Sequence, residues 1–228
     1  MNYSALNYQR ATTVWLSVIV LAACASVTPH GELAPAPALN RDAVWNYQVI
    51  NAYNGLEAGQ LQSIDDWGLL DGTLINRVEY AYPEPAYPFP LQAGRNWSVN
   101  TTVTVNQKTF AANVRGQALG WERIKVPAGE FDTLKIRRQV YLQDQEWWRS
   151  GTEVYEIDWY APELQQIVRR DTRSEYRDVA RGRDPFGGNV IKGDWNIVEL
   201  TSYRAGNAAA TQRRLDRSGE RSVKETYN

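Results

Sequence analysis

The sequence predicts an all-β protein, an antiparallel domain of about nine to ten strands forming a curved open sheet or a distorted barrel. Three observations carry that expectation. Apolar and polar residues alternate with period two through most of residues 42–204. Turn-forming dipeptides separate the alternating runs. No stretch of helical periodicity competes; only Ala161 to Gln166 reads as a single turn.

The first strand runs from Val44 to Ile50, where Trp45, Tyr47 and Val49 alternate with Asn46 and Gln48. Asn54-Gly55 turns the chain into a strand over Leu56 to Trp67. Another follows from Thr73 to Tyr82, with Asp71-Gly72 as the hairpin signal between the two. Asp65-Asp66 reads as turn and solvated edge, because neighbours on a strand point to opposite faces and do not readily share an ion. Pro83, Pro85, Pro88 and Pro90 exclude a central strand over Tyr82 to Leu91. That segment is a stiff connector whose Tyr87 and Phe89 cover one end of the core.

Asn96 to Asn106 resumes the alternation, and Asn106-Gln107 turns it into Thr109 to Val114. Gly120 to Val126 and Phe131 to Leu142 flank Val126-Pro127-Ala128-Gly129, a tight turn with Pro second and Gly fourth. Trp147 to Trp159 returns, setting Tyr155, Ile157 and Trp159 on one face and Val154, Glu156 and Asp158 on the other. Gln165 to Thr172 and Trp195 to Tyr203 complete the strands, with a Gly-rich loop over 181–194 between them.

The two ends read differently. Residues 1–23 have the layout of a secretory signal: Arg10, an apolar core over Thr12 to Ala23, then small residues. The apolar core is about twelve residues long, too short to span a bilayer well. Leu21-Ala22-Ala23-Cys24 resembles the bacterial lipobox, which implies cleavage before Cys24 and acylation of that residue. The alternative is an ordinary signal cut near Ala23 or Ala25 with Cys24 incidental. Ala25 after the cysteine, in place of Asp, matches lipoproteins of the outer membrane that face the periplasm of a Gram-negative cell. Residues 24–41, with Pro29, Gly31, Pro35 and Pro37, read as the lipid-anchored tether. Residues 42–204 are the β domain, and 205–228 are a polar, disordered tail.

Composition narrows the function. Lys and Arg number 25 against 26 acids, so removing Arg10 with residues 1–23 leaves 24 − 26 = −2. No broad pull toward nucleic acid follows from that balance. Cys24 is the only cysteine, which excludes a disulfide framework. The single histidine, His30, lies in the tether, so the domain has no Ser-His or Cys-His pair and no histidine zinc site. No Gly-rich phosphate loop precedes a helix, and no cofactor or metal is expected.

Val126-Pro127-Ala128-Gly129-Glu130-Phe131-Asp132, followed by Trp159-Tyr160-Ala161-Pro162, resembles a family of uncharacterised Gram-negative envelope proteins. Tyr87-Pro88-Phe89-Pro90-Leu91, with Gly94 and Trp97, is similar to the same pattern. Glu130 stands where that family commonly has Thr. The resemblance implies an antiparallel β domain in the periplasm and no established activity.

Carboxylates are the remaining chemistry. Glu156 and Asp158 share a strand face about 6.6–7 Å apart, a separation that inverting glycosidases also use. With Trp147, Trp148 and Trp159 nearby in sequence, a sugar-processing cleft is one reading. The plainer reading makes the two acids a solvated face, with Lys125, Arg137, Arg138 and Arg149 available to pair with them across strands. The resulting expectation is a non-enzymatic envelope lipoprotein that binds a protein partner or an apolar ligand, with Trp147, Trp148 and Trp159 as candidate ligand contacts. The alternatives are a glycan-active hydrolase using Glu156 and Asp158, and a structural scaffold.

Overall fold

A computed structural model of the chain describes residues 33–37, 43–64, 68–75, 78–83, 86–180 and 189–204. Cys24 and the signal, Asp65-Asp66, and the tail over 205–228 lie outside the described residues. The fold is all-β. Its strands are β1 (Val44–Asn51), β2 (Leu56–Ile64), β3 (Gly72–Ile75), β4 (Val78–Ala81) and β5 (Asn96–Val105). They continue with β6 (Lys108–Val126), β7 (Gly129–Leu142), β8 (Glu153–Ala161), β9 (Gln166–Asp178) and β10 (Asn189–Arg204). All ten lie in one antiparallel sheet of order β2-β1-β10-β9-β8-β7-β6-β5-β4-β3. From β4 to β10 the sheet is a run of sequential neighbours, and β1 closes against β10.

The sheet is open: β2 and β3 are its two ends and do not pair with each other. It is also strongly curled. The segment from Gly68 to Ile75 comes back over the inner face of β9, where Arg170 donates to the carbonyls of Leu69 and Gly72 at 2.7 and 2.8 Å. Register shifts at Ala118/Gly120 in β6, Trp159/Tyr160 in β8 and Lys192/Trp195 in β10 mark bulges, which sharpen twist and bend long strands.

Turn chemistry fits the residues. Asn106 and Gln107 take positive φ (46° and 65°) between β5 and β6, as a two-residue hairpin turn requires. Gly129 follows Pro127-Ala128 with φ 145°, a region open to glycine. The inner face carries the core. Trp45, Tyr47, Val198 and Leu200 pack at one side, Leu134, Ile136, Tyr160 and Ile167 in the middle, and Val103, Val114, Val140 and Val154 at the other. The proline-rich connector works as a lid on that core, with Tyr87 and Leu91 buried and Phe89 against Tyr160.

Four expectations are corrected. Thr73 to Tyr82 is not one strand but a hairpin, with Ile75 paired to Val78. Asp71-Gly72 does not turn β2 back against β3, which lie at opposite ends of the sheet: Asp71 ends a short 3₁₀ turn and Gly72 opens β3 opposite Ala81. Thr109 to Val114 and Gly120 to Val126 are one 19-residue strand, because the bulge at Leu119 carries the ladder past the break in alternation. The segment 24–41 is not wholly a tether. Ala34 is fully buried, bonds Leu91 through both backbone groups, and Pro35 accepts from the Tyr160 hydroxyl at 2.9 Å.

Candidate functional site

The pleat of β7, β8 and β9 puts adjacent residues on opposite faces, and both faces carry charge. On the inner face Arg138 lies opposite Glu156, and Asp158 lies opposite Arg170. All four are buried. Arg138 donates to Glu156 Oε2 at 2.6 Å and to Asp158 Oδ2 at 2.9 Å. Arg170 Nε donates to Asp158 Oδ1 at 2.6 Å. The connector and β3 complete the shell: Tyr87 OH donates to Asp158 Oδ2 at 2.7 Å, and Thr73 Oγ1 to Glu156 Oε1 at 2.6 Å. Each of the four carboxylate oxygens therefore accepts at least one hydrogen bond. Arg138 also faces the Tyr87 ring, 4.4 Å from its centroid.

Two cations and two anions balance the cluster. Burial opposes ionisation of Asp158 more than any single neighbour favours it. Arg170 and Arg138 outweigh burial together, with hydrogen bonds from Arg170 and Tyr87, and hold its carboxyl below the usual range. Burial pushes the Tyr87 hydroxyl well up, so it stays a donor at any ordinary pH. Such a network gives little net stability against an apolar core, but it is costly to break and fixes the register of what it joins. Here it joins β3, β7, β8, β9 and the connector.

This overturns the solvated-face reading of Glu156 and Asp158. The buried face of β8 is Val154, Glu156, Asp158 and Tyr160, whereas Tyr155 and Ile157 lie on the outer face, half-buried. It also removes the basis for the glycan-hydrolase reading. A general acid must hold a transferable proton and a base a free lone pair within reach of substrate; these carboxylates are buried and held by arginines.

The three tryptophans do not converge. Trp147 is 85 % exposed in the β7–β8 connection. Trp148, in the same connection, meets Tyr176 edge-on, and Arg149 lies over both rings. Trp159 sits near the opposite end of β8, where its ring is flanked by Lys135 of β7 and Arg169 of β9 at 5.1 Å each, and its indole NH donates to Glu122. Of the cations named as pairing candidates, Arg138 meets Glu156 and Asp158, Lys125 meets Glu130, Arg149 meets Asp144, and Arg137 meets an amide. Among the described residues no group of three or more His, Cys, Asp or Glu is placed to hold a metal.

The outer face of the same strands forms an open hollow of about 730 Å³. Its spine is a row of direct cross-strand partners, Arg115, Gln139, Tyr155, Arg173 and Trp195, one from each of β6 to β10. The next row runs Gln117, Arg137, Ile157 and Asp171. Arg137 donates to Gln117 Oε1 at 2.5 Å, and Trp195 Nε1 donates to Asp171 Oδ1 at 2.6 Å. Arg173 lies over the Tyr155 ring at 5.2 Å. Burial and a hydrogen bond to Glu153 push the Tyr155 hydroxyl up to about 12, so it remains protonated.

Reading the sequence missed Arg170, Thr73 and the hydrogen-bonding role of Tyr87, together with the outer hollow. The available signal was the pair of doublets, Arg137-Arg138 and Arg169-Arg170, on strands flanking Glu156 and Asp158. Each doublet must put one guanidinium on each face.

No family model matches the chain, and no curated protein sequence matches it. The resemblance to an envelope family through Val126–Asp132 and Trp159–Pro162 thus stands on those residues alone. Two crystal structures show partial likeness. A candidate lipoprotein from Parabacteroides distasonis aligns at 13 % identity and a TM-score of 0.42, over 75 % of this chain and 98 % of its own. A candidate exported protein with a YmcC-like fold from Bacteroides fragilis aligns at 14 % identity and a TM-score of 0.41, over 76 % of this chain and 99 % of its own.

Proposed function

We propose that the protein is a non-enzymatic envelope lipoprotein. It is anchored through Cys24 at the periplasmic face of the outer membrane and holds a ligand or partner in the hollow on its outer sheet face. The supporting observation is the pairing of that open hollow with a rigid backing. Three of the strands that carry its side chains, β7, β8 and β9, are locked from behind by the Arg138, Glu156, Asp158 and Arg170 network. Preorganised walls reduce the ordering cost of binding. The hollow sets guanidinium and amide groups beside the apolar surface of Trp97, Tyr155, Ile157 and Trp195, so it offers a ligand or a protein segment both fixed polar contacts and apolar area. The anchor rests on Leu21-Ala22-Ala23-Cys24 and on the need for more than one acyl chain for stable attachment, which a fully modified lipobox cysteine provides.

Two measurements test this reading. A photo-crosslinking residue in place of Gln139, in the centre of the spine, should capture a discrete adduct in cells, whereas one at Thr102 on exposed β5 should not. Equal labelling at both positions would favour a structural scaffold. The mature N-terminal peptide should carry its mass as acylated Cys24, and Cys24→Ala should lose outer-membrane fractionation. An unmodified peptide beginning at Ala25 or later would remove the anchor from the proposal.

A further inference from the structure

We infer that the outer hollow is a site for polyanions, taking a molecule that carries at least two carboxylate or phosphate groups. The inference rests on the proposed binding role of this face and adds the chemical class of what it binds. The argument begins with the distribution of charge. Arg115, Arg137 and Arg173 line the hollow, and none of them is ion-paired with a carboxylate among the described residues; their partners are the Asn113 and Gln117 amide oxygens and the Tyr155 ring. Asp171 lines the hollow with them and already accepts from Trp195, while Glu153 and Glu175 stand opposite each other on the adjoining row of the same face, where Glu153 accepts from Gln139 and Tyr155. The lining also includes Arg138 and Glu156, which neutralise each other at 2.6 Å.

Within the lining itself, three guanidinium groups without a carboxylate partner stand with one carboxylate already engaged by an indole, in a chain whose net charge is −1. Elsewhere on the same strands the cations meet acids: Lys135 meets Glu122, Arg169 meets Glu199, and Arg138 and Arg170 meet Glu156 and Asp158. Guanidinium is suited to this role. It is always charged, weakly hydrated, and presents a planar fork that fits carboxylate or phosphate oxygens in pairs. Arg115 and Arg173 sit on β6 and β9, three strand spacings or about 14 Å apart at the backbone, with Arg137 on β7 between them. One small anion engages part of that array, and a molecule with two or more anionic groups engages it fully. Between the cations, the Gln117 and Gln139 amides and the Tyr155 and Trp195 rings offer neutral donors and apolar surface to the linking part of the ligand.

The experiment uses the mature protein purified from membranes and titrated by calorimetry with citrate and with inorganic tripolyphosphate, with sucrose as neutral control. Saturable binding of at least one polyanion is expected, weakened at high salt because screened charges drive it. Replacing Arg115, Arg137 and Arg173 together by Gln should weaken that binding at least tenfold while leaving the thermal melt unchanged. Citrate binding alone would assign a carboxylate ligand and tripolyphosphate alone a phosphate ligand. Co-flotation with vesicles containing anionic phospholipid, lost in the triple variant, would place the phosphate on a lipid headgroup. Absence of binding by both polyanions, or binding that the triple variant retains, overturns the inference. A crosslinked adduct at Gln139 in that event would show a hollow that binds something uncharged, so the broader reading would survive while the polyanion assignment failed.

Discussion

Arg137 and Arg138 are consecutive residues on β7 with opposite fates. Arg138 is buried, bonded to two carboxylates, and stacked against Tyr87. Arg137 is exposed on the other face and bonded to one glutamine. The same division separates Arg169 from Arg170 on β9, although Arg169 does find Glu199. The inner guanidinium groups therefore act as structural ties, whereas on the outer face Arg169 is paired with Glu199 and Arg137 has no carboxylate partner among the described residues. What decides between these roles is the phase of the pleat together with the acids that neighbouring strands bring into register.

The comparison breaks most readily at the inner face. Arg170→Met keeps much of the side-chain volume but leaves Asp158 buried without one of its cations, and it removes the donors to Leu69 and Gly72. Loss of one partner from a buried ion pair costs about 3–5 kcal/mol, so this variant should unfold at much lower urea than the parent. A loss under about 1 kcal/mol would mean the network is wetter and looser than its burial indicates.

Acid should reach the same network. The folded-state pKa of Asp158 lies below its unfolded value, near 3.9, so protons bind the unfolded chain preferentially. The stabilisation from this carboxylate is then fully present above about pH 4–5 and lost as pH falls through the lower folded value. Urea midpoints between pH 6 and pH 3 should drop more steeply for the parent than for Asp158→Asn, which has no such proton to gain. Parallel slopes would show that Asp158 does not carry the acid sensitivity.

Gly116 joins the two regions. On the inner side its missing side chain makes room for Trp97, whose ring atoms lie 2.1 Å from where a Cβ would stand. On the outer side it lines the hollow. Gly116→Ala should displace Trp97 and cost about 1–3 kcal/mol, the usual range for overpacking. A thermal melt reads the loss, and quenching or shift of tryptophan fluorescence reads the displaced ring.

The fold was legible in the sequence because most strands have one apolar face and because turn residues mark the hairpins. Asn106-Gln107 and Val126 to Gly129 turn where expected, and β1, β5 and β7 fall close to their expected ranges, whereas β10 begins at Asn189, inside the expected loop. The β3–β4 hairpin was not legible, since Thr73 to Tyr82 has no strong turn dipeptide inside it. The face of β8 was misread for a sharper reason. Tyr155, Ile157 and Trp159 are more apolar than Glu156 and Asp158, so a local rule of hydrophobic burial selects the wrong side. What buries the acids is Arg138 from one neighbouring strand and Arg170 from the other, and that depends on register across two hairpins. The hollow was hidden for the same reason: its spine takes one residue from each of five strands.

The smallest expected effect is the sharpest test of the contrast. Arg137→Gln removes a charge one residue from the buried network, but the arginine side chain is exposed and donates to the amide oxygen of Gln117. An exposed substitution of that kind changes stability within about ±0.5 kcal/mol. The urea midpoint and slope should therefore match the parent, while the matching change at Arg138 should behave like Arg170→Met. If Arg137→Gln instead destabilised by more than about 1 kcal/mol, the outer guanidinium groups would have to be part of what holds the sheet. They would no longer be cations set aside for a ligand, and the division of labour between the two faces would fail at the residue pair that defines it.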